Sequence, residues 1–554
     1  MTKTIYRAIH GSNENQEASG RGVGSEFDLQ VSLNQACLSA HLKADYDFIV
    51  CGSGSSGSVV ARRLAENPDV NVLLLEAGGD DAVPSIADPA LWVQNIGSER
   101  DWGFQSEPNP HLKGRALSLS MGKVLGGGSS INVMMWSHGH KADWEYFASE
   151  AGDPGWNYES VKRLYRRIED WHGPEDAEYR GTGGPVFVQP APNSNATQPV
   201  LVEGAASVGF PIFESSNGRM MEAEAGVSTT DVIIRDGKRQ SVFRSYVYPY
   251  MDRPNLTVLT KACVVRVTIV GNRATGVEVL HNGMRRLFGA SREIILSLGA
   301  INTPKLLMQS GIGDEAELKQ FGIPIVQHLS GVGKNFQDHF LIFGCIWEYR
   351  RQETLPNAAR AVLFSKSDPH MAAPDLQIIQ SNGGGIKAEM SRRGLSDDSW
   401  WSLAPGVVRT HSRGEIHLTG PSPLDPVRIE SNALSHVDDL KAAVASVELC
   451  REIANSAALR PFVKRELVPG PTTLDQLKDF IREGAVTYWH QTCTAKMGRD
   501  DMSVVDGNLK VYGVENLRIA DGSIMPRVTT GNTMGPCVVI GERAAEVLRR
   551  EHNC

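Results

Sequence analysis

The sequence of 554 residues predicts an α/β fold, in which a Rossmann-like nucleotide-binding domain is interwoven with an α+β domain built on a mostly antiparallel sheet. Three observations predict it. A strand–helix–strand unit with a glycine-rich turn begins near residue 45, strand-like segments fill the middle, and further glycine-rich strand-to-helix turns return later. At about 100 to 200 residues per domain, the length allows three domains or two large interwoven ones.

The first unit lies in residues 45–79. "DFIVCG" is a short apolar run typical of a buried strand, and "SSGSVVARRLAEN" is a helix pattern with Val59, Val60 and Leu64 on one face. "NVLLLEAGG" is a second buried strand that ends at Glu76. The order strand, helix, strand favours a parallel sheet with a right-handed crossover.

The turn of this unit carries Gly52, Gly54 and Gly57, a G-x-G-x-x-G pattern. The first glycine allows a tight turn, the second lets the backbone approach a pyrophosphate, and the third lets the helix pack on the strand. Glu76 lies 19 residues after Gly57, where a carboxylate can bind ribose hydroxyls. The unit predicts dinucleotide binding, but these residues do not distinguish NAD from FAD.

The middle of the chain predicts the second sheet. Its strand-like segments are residues 184–190, 374–380, 406–420 and 425–431. "ESVKRLYRRIEDWHG" has helical spacing, with Leu164, Ile168 and Trp171 on one face. The Gly-rich, polar stretch 381–400 is a candidate mobile loop over a site or an ordinary surface excursion.

Composition excludes several classes of protein. The 64 acidic and 56 basic side chains give a net charge of -8, which argues against a nucleic-acid partner. The eight cysteines form no C-x-x-C pair and no zinc spacing, so we predict no metal site and a reducing, cytoplasmic location. No apolar run reaches the ~18 residues of a membrane span. The polar, Gly/Ser-rich start predicts a poorly ordered extension over residues 1–43.

Further glycine-rich motifs follow in order: "GKVLGGGSSIN" (122–132), "GAINTPKLLMQSGIG" (299–313), "GVGKNFQDH" (331–339), and "ADGSIMPRVTTGNTMGP" near the end. Together with the first unit, they resemble the glucose–methanol–choline (GMC) oxidoreductases over essentially everything after residue 44. The resemblance implies FAD as cofactor and oxidation of alcohols. It divides the chain into an FAD-binding domain (44–185, 255–340 and 500–554) and a substrate-binding domain (186–254 and 341–499).

The resemblance also implies the catalytic pair. In "TYWHQTCTAKMG" (487–498), His490 matches the family's base in a pattern similar to H-x-x-G-T-C-x-M-G, although Cys493 replaces its Gly and Ala495 its Cys. The partner position, eleven residues after Asp521, is Asn532. A neutral imidazole can remove the hydroxyl proton of an alcohol, which drives hydride transfer to flavin N5. Asn532 would orient the developing alkoxide.

The cofactor contacts implied by the motifs are Gly52, Gly54, Gly57, Glu76, Gly127, Asn132, Val264 and Asp521. Three have simpler interpretations: Val264 as sheet core, Asn132 as a turn residue and Asp521 as a cap. Some relatives attach FAD through a His in "G-G-x-S-S-H-N", and this chain has Ile131 there. We therefore expect non-covalent FAD.

The substrate is predicted from the residues beside the base. Tyr488 and Trp489 could form an aromatic wall for flat substrates or simply pack in the core. We expect a primary alcohol on an aromatic or heteroaromatic ring, with a choline- or sugar-type alcohol, or photodecarboxylase-like chemistry, as alternatives. A non-catalytic flavin-binding protein would be expected to lose the base. The electron acceptor, oxygen or another compound, and the oligomeric state stay open.

Overall fold

The computed structural model describes residues 26–192, 200–342, 344–350, 361–380, 390–391, 394–396 and 399–554. Two large sheets organise this part of the chain, so the predicted fold class is confirmed. Most of the predicted loop 381–400 lies outside the described residues. In the described part, no helix combines the length and apolar composition needed to cross a membrane.

The first sheet is built around the strand Asp45–Cys51, which lies between Val72–Leu75 and Met284–Leu296 and is parallel to both. Residues 48–51, 72–75 and 294–296 of these strands are apolar and buried, as expected for a parallel sheet covered on both faces. In the described residues the sheet has seven strands, and the other four are Leu256–Leu259, Ala262–Val270, Arg273–His281 and Leu517–Ile519.

Two helices pack on each other against this sheet. Ser55–Ala65 is the predicted first helix, and it buries Val59, Val60 and Leu64. Met534–His552 is the last helix of the chain. The two axes approach closely because Gly541 carries no side chain: a Cβ there would lie 2.7 Å from the Ser56 carbonyl oxygen. The helix of the first βαβ unit and the last helix of the chain are thus in direct contact.

The second sheet is antiparallel throughout its described pairs. Among the described residues it has eight strands, which are Gly226–Thr229, Phe340–Ile342, Cys345–Tyr349, Ala361–Ser365, Leu376–Gln380, Trp400–Val407, Val463–Val468 and Ala485–Thr487. The helix Val437–Ala454 packs against Trp400–Val407. After Val407 the chain leaves the sheet and forms a separate hairpin, Glu415–Leu418 with Val427–Glu430.

The remaining elements connect the two sheets. The helices are Pro84–Ala87, Gly128–Ile131, Lys141–Ala151, Tyr158–Ile168, Val200–Ser207, Val242–Tyr246, Gly299–Gln309, Glu315–Gln320 and Leu474–Gly484. The short strands are Phe104–Gln105, Ser118–Leu119, Glu169–Trp171, Val186–Pro190, Asp231–Val232, Ile234–Arg235, Lys238–Arg239, Ile312–Gly313 and Gln327–His328.

The prediction of a poorly ordered extension over residues 1–43 is wrong for its second half. Residues Glu26–Ala40 form a helix that is anchored to the first sheet. The Asn34 amide donates to the carbonyls of Met251 and Arg253, and the Val258 N–H donates to the Gln35 side chain. The polar composition misled the prediction because side-chain amides, rather than an apolar face, attach this helix.

Candidate active site

Three glycine-rich segments meet at the carboxyl end of the first sheet. Gly52 has φ +99°, and a Cβ there would lie 2.3 Å from the Ser297 carbonyl oxygen. A Cβ on Gly57 would lie 1.9 Å from the Gly52 carbonyl oxygen, whereas a Cβ on Gly54 would meet open space. Gly127 comes from the second motif and lies so close that its Cβ would be 2.8 Å from the Gly54 Cα. The backbone therefore forms a cradle above Gly54.

Glu76 lies at the edge of this cradle and is buried. One carboxylate oxygen accepts hydrogen bonds from the Ser53 N–H (3.2 Å) and hydroxyl (2.7 Å), and the other accepts from the Gly78 N–H (2.8 Å). Burial raises the pKa of Glu76. The oxygen that accepts only from the Gly78 N–H can accept a further hydrogen bond, so the side chain can still bind a ribose hydroxyl.

Asp521, Asn132 and Val264 have structural roles of their own. Asp521 caps the turn that follows the strand Leu517–Ile519: its carboxylate accepts from the Ser523 N–H (2.8 Å) and the Gly299 N–H (2.9 Å). The Asn132 amide contacts the Met534 sulfur at 3.2 Å, at the start of the last helix. Val264 is half-buried in a strand opposite Val279. Contact of these three with a cofactor stays a prediction.

His490 and Asn532, which are 42 positions apart in the sequence, are brought together. The Asn532 amide nitrogen lies 3.2 Å from His490 Nε2, and the two residues are only 8% and 7% exposed. Asn532 Oδ1 is buried without a hydrogen-bond partner among the described residues. The Asn532 amide and the His490 imidazole thus face each other in a buried site, and Asn532 Oδ1 can still accept a hydrogen bond.

Asp338 and His339, in the motif "GVGKNFQDH", hold His490 in place, although no role was predicted for either residue. The Asp338 carboxylate accepts hydrogen bonds from the His490 N–H (2.9 Å) and from the Thr487 hydroxyl. The Thr487 hydroxyl accepts in turn from the Trp489 N–H (2.7 Å). Trp489 has φ +59°. Side-chain hydrogen bonds therefore stabilise a left-handed turn directly before the base.

His339 contacts the base itself, with 2.9 Å between the two Nδ1 atoms. If Asn532 donates to His490 Nε2, the proton of the neutral ring is on Nδ1 and is donated to His339 Nδ1. His490 Nε2 then carries the free electron pair. Burial lowers the pKa of His490 to about 3 and holds the pKa of His339 well below its usual value, so both rings are neutral at pH 7.

The turn after the base carries Cys493 and Ala495, the two residues that depart from the family pattern. Cys493, in place of the family's glycine, has φ +76°, a left-handed conformation that costs a side chain about 1 kcal/mol. The Cys493 N–H donates to the Gly522 carbonyl (3.0 Å), and the Ala495 N–H donates to the Ser523 carbonyl (2.9 Å). These backbone bonds keep the turn next to the Asp521 cap despite the substitutions.

Tyr488 and Trp489, the two aromatic residues predicted to line the substrate pocket, point to different places. The Tyr488 ring stacks on His490, with ring centroids 5.3 Å apart and an angle of 6° between the planes. It also joins a buried apolar cluster on the second sheet that includes Met135, Phe364 and Ile379. The Trp489 indole instead donates to the Ser118 carbonyl (3.2 Å) and packs edge-on against Trp92. A substrate-binding role of Trp489 stays a prediction.

Family models match both parts of the chain that build this site. A model described as GMC oxidoreductase matches residues 46–341, and a second with the same description matches residues 410–541. The chain belongs to the GMC oxidoreductase family. The resemblance predicted from the motifs is therefore confirmed, and the protein is an FAD-dependent alcohol oxidoreductase.

Relatives that align over nearly their whole length support the same family assignment. Oxygen-dependent choline dehydrogenase of Brucella suis is 35% identical over 529 residues, which cover 90% of this chain and 95% of the relative. Alcohol dehydrogenase [acceptor] of Pseudomonas putida is 34% identical, over 91% of this chain and 96% of its own length. The crystal structure of pyridoxine 4-oxidase from Mesorbium loti superimposes with a TM-score of 0.84 at 29% identity, covering 92% of this chain and 99% of that one.

The cradle fits FAD. Space is open above Gly54 where a pyrophosphate would approach the backbone, and the helix Ser55–Ala65 begins there with its N–H groups. Glu76 is available to a ribose. Ile131, which stands where some relatives carry a histidine, is buried with Ile86 and Val124 and offers no nucleophile.

Proposed function

We propose that this enzyme oxidises a primary alcohol on an aromatic or heteroaromatic ring to the aldehyde, with His490 as base and Asn532 as the orienting residue. The observation that carries the proposal is the 3.2 Å approach of the Asn532 amide to His490 Nε2 inside a buried site. A substrate hydroxyl that replaces this hydrogen bond could donate its proton to Nε2 while accepting from the amide.

The electrostatics of the site support His490 as base. A base must be unprotonated before it acts, and burial lowers the pKa of this imidazole to about 3. The contact with His339 fixes the ring, so that Nε2 keeps its electron pair toward Asn532. Asn532 cannot accept a proton at neutral pH, but its N–H can stabilise the negative oxygen that deprotonation creates. Bound FAD would supply the acceptor for the hydride.

The surroundings of Tyr488 favour a flat, uncharged substrate. Its ring is parallel to the base, and the apolar cluster beside it contains Met135 and Phe364. A trimethylammonium group would need aromatic faces and a carboxylate close by. The Asp338 carboxylate is instead engaged with Thr487 and the backbone N–H of His490. Pyridoxine 4-oxidase, by its name, also acts on a ring-bearing compound.

The test is anaerobic reduction of the purified flavoprotein. Benzylic, furanic, pyridine, sugar and choline alcohols are added separately, and the loss of absorbance near ~450 nm from oxidised flavin is followed. We expect ring-bearing primary alcohols to bleach the flavin fastest. Fastest bleaching by choline would contradict the substrate class and would favour the activity that the name of the Brucella suis relative states. No bleaching by any alcohol would contradict the proposed function.

We also propose that FAD is bound non-covalently, because Ile131 cannot form a bond to the flavin. Acid precipitation should release all of the yellow colour into the supernatant. Colour that stays in the pellet after washing would contradict this.

A further inference from the structure

A small cavity lies behind the imidazole pair. Its volume is about 20 Å³, enough for a single water molecule, and its polar lining consists of Asp338, His339, Thr410, Ser412, Ser431 and Thr487. Leu117 and Leu119, in and directly before the short strand Ser118–Leu119, close it from another direction. Ala433, also in the lining, is half-buried and lies two positions from the exposed Ser435, so the cavity reaches toward the surface there.

Two buried polar atoms of the lining have no hydrogen-bond partner among the described residues: His339 Nε2 and Ser431 Oγ. The backbone of Val408, which directly follows the strand Trp400–Val407, lies next to the His339 ring and favours its protonated form, but no hydrogen bond of ordinary geometry reaches His339 Nε2. A buried N–H or O–H left without a partner costs about 1 to 3 kcal/mol. A water molecule can accept a hydrogen bond from one such group and donate to another, and the cavity has room for one.

The two nitrogens of His339 lie on different edges of its ring. Nδ1 faces His490, and Nε2 carries the proton once Nδ1 accepts the hydrogen bond from His490. His339 therefore links the base to the cavity lining. On the other side of the base, Nε2 of His490 faces Asn532.

We propose that a water molecule in this cavity completes a proton relay, which runs from His490 through His339 to the cavity and the solvent. The proposal rests on the proposed function, because the proton comes from the alcohol. His339 acts through His490 and is a positioning residue that also passes a proton.

The transfers balance in protons. The O–H bond of the alcohol breaks and an N–H bond forms at His490 Nε2. The Nδ1–H of His490 then passes to His339 Nδ1, and the Nε2–H of His339 passes to the cavity water, which releases a proton to the solvent. Both rings end neutral. When the electron acceptor takes up the proton from His490 Nε2, the same steps run backward and restore the first tautomers.

The charges around His339 favour export of the proton. Arg409 exerts a positive potential on the His339 ring, and the base, which packs edge-to-face with this ring, would be cationic after it takes up the proton. Tyr488 faces the ring edge-on and is neutral, because burial raises its pKa far above neutrality. Asp338 is the carboxyl group of the lining, and burial raises its pKa to about 7. A charge on the imidazole pair is thus disfavoured.

The experiment follows flavin bleaching and proton release together, in weakly buffered anaerobic solution with a pH-indicator dye. In the wild-type enzyme we expect about one proton per flavin reduced, released in step with bleaching. His339→Asn keeps an acceptor for His490 Nδ1 but has no second nitrogen to release a proton. It should bleach about tenfold more slowly or worse and show no dye signal in step with bleaching.

A second variant probes the cavity without changing the imidazoles. Ser431→Val fills the space of the water, and its proton release should lag behind bleaching by about tenfold, whereas the exposed Ser435→Ala should behave as wild type. The flavin spectrum of each variant verifies folding. Bleaching without proton release in the wild type, or proton release by His339→Asn in step with bleaching, would overturn the relay. If no alcohol bleaches the wild type, the proposed function itself fails.

Discussion

The cofactor cradle and the base site are built in opposite ways. The cradle is mostly backbone: Gly52, Gly54 and Gly57 lie within one turn and helix start, and Gly127 packs directly on Gly54. The base site is made of side chains from three distant segments, 338–339, 487–490 and 532. The cradle should therefore tolerate no Cβ at Gly52, Gly57 or Gly127, whereas the base site should tolerate no lost hydrogen-bonding group. The predictions below test that contrast.

The largest effect is expected at the base. His490→Ala should lower the rate of flavin reduction by alcohol about 10²- to 10⁴-fold, because no other group can take the hydroxyl proton. The yellow colour and the FAD content should be unchanged, because His490 contributes nothing to the cradle. His172→Ala, at an exposed histidine, is the control and should be indistinguishable from wild type. Loss of FAD from His490→Ala would contradict the independence of the cofactor cradle from the base site.

Asn532→Ala should reduce the same rate by about 10²- to 10³-fold, the cost of losing one donor to a developing oxyanion. Asn532→Asp keeps the shape of the side chain but places a carboxylate next to the developing alkoxide of the substrate. This variant should therefore be no faster than the alanine variant. Stopped-flow reduction with the best alcohol measures both. A rate within about threefold of wild type in either variant would remove Asn532 from the mechanism.

A matched pair of glycines tests the cradle. A Cβ on Gly57 would lie 1.9 Å from the Gly52 carbonyl oxygen, so Gly57→Ala should lower the free energy of unfolding by about 1 to 3 kcal/mol. Gly54→Ala has open space and should unfold like wild type, but it should bind FAD about tenfold more weakly, which is about 1.4 kcal/mol. Thermal melts and flavin titration separate the two. Equal behaviour of both variants would contradict the cradle geometry.

The smallest effect is a pH dependence of stability. Burial lowers the pKa of His490 to about 3 in the folded protein, whereas an unfolded imidazole has a pKa of about 6.5. The unfolded state binds the proton more readily, so this contribution is complete above pH ~6.5 and is lost as the pH falls toward ~3, at about 1.4 kcal/mol per pH unit. Urea unfolding of wild type and His490→Gln at pH 7 and 5.5 should show the smaller loss in the variant. Parallel losses would place the imidazole in contact with solvent.

The same contrast explains what the sequence could and could not predict. The cradle follows from local spacing, because Gly52 to Glu76 form one βαβ unit. His490 and Asn532 followed only from the family resemblance, and nothing local pairs them. Asp338 and His339 stood in a quoted motif, but their contacts with His490 depend on the antiparallel pairing of Phe340 with Thr487.

Two other features, the N-terminal helix and the orientation of Trp489, could not be predicted from local sequence patterns. The helix Glu26–Ala40 is attached by the side-chain amides of Asn34 and Gln35, which have no hydrophobic periodicity. Trp489 is adjacent to the base in sequence, yet its positive φ turns its indole toward Trp92. Adjacency in sequence therefore did not predict adjacency in the site.

The most direct measurement is a crystal structure of the FAD-bound enzyme with an unreactive analogue of its best alcohol. The account predicts that His490 Nε2 and Asn532 Nδ2 both lie within about 3 Å of the hydroxyl oxygen, with the carbinol carbon facing flavin N5. A hydroxyl oxygen bound elsewhere, with His490 remote from the reactive edge of the flavin, would contradict it.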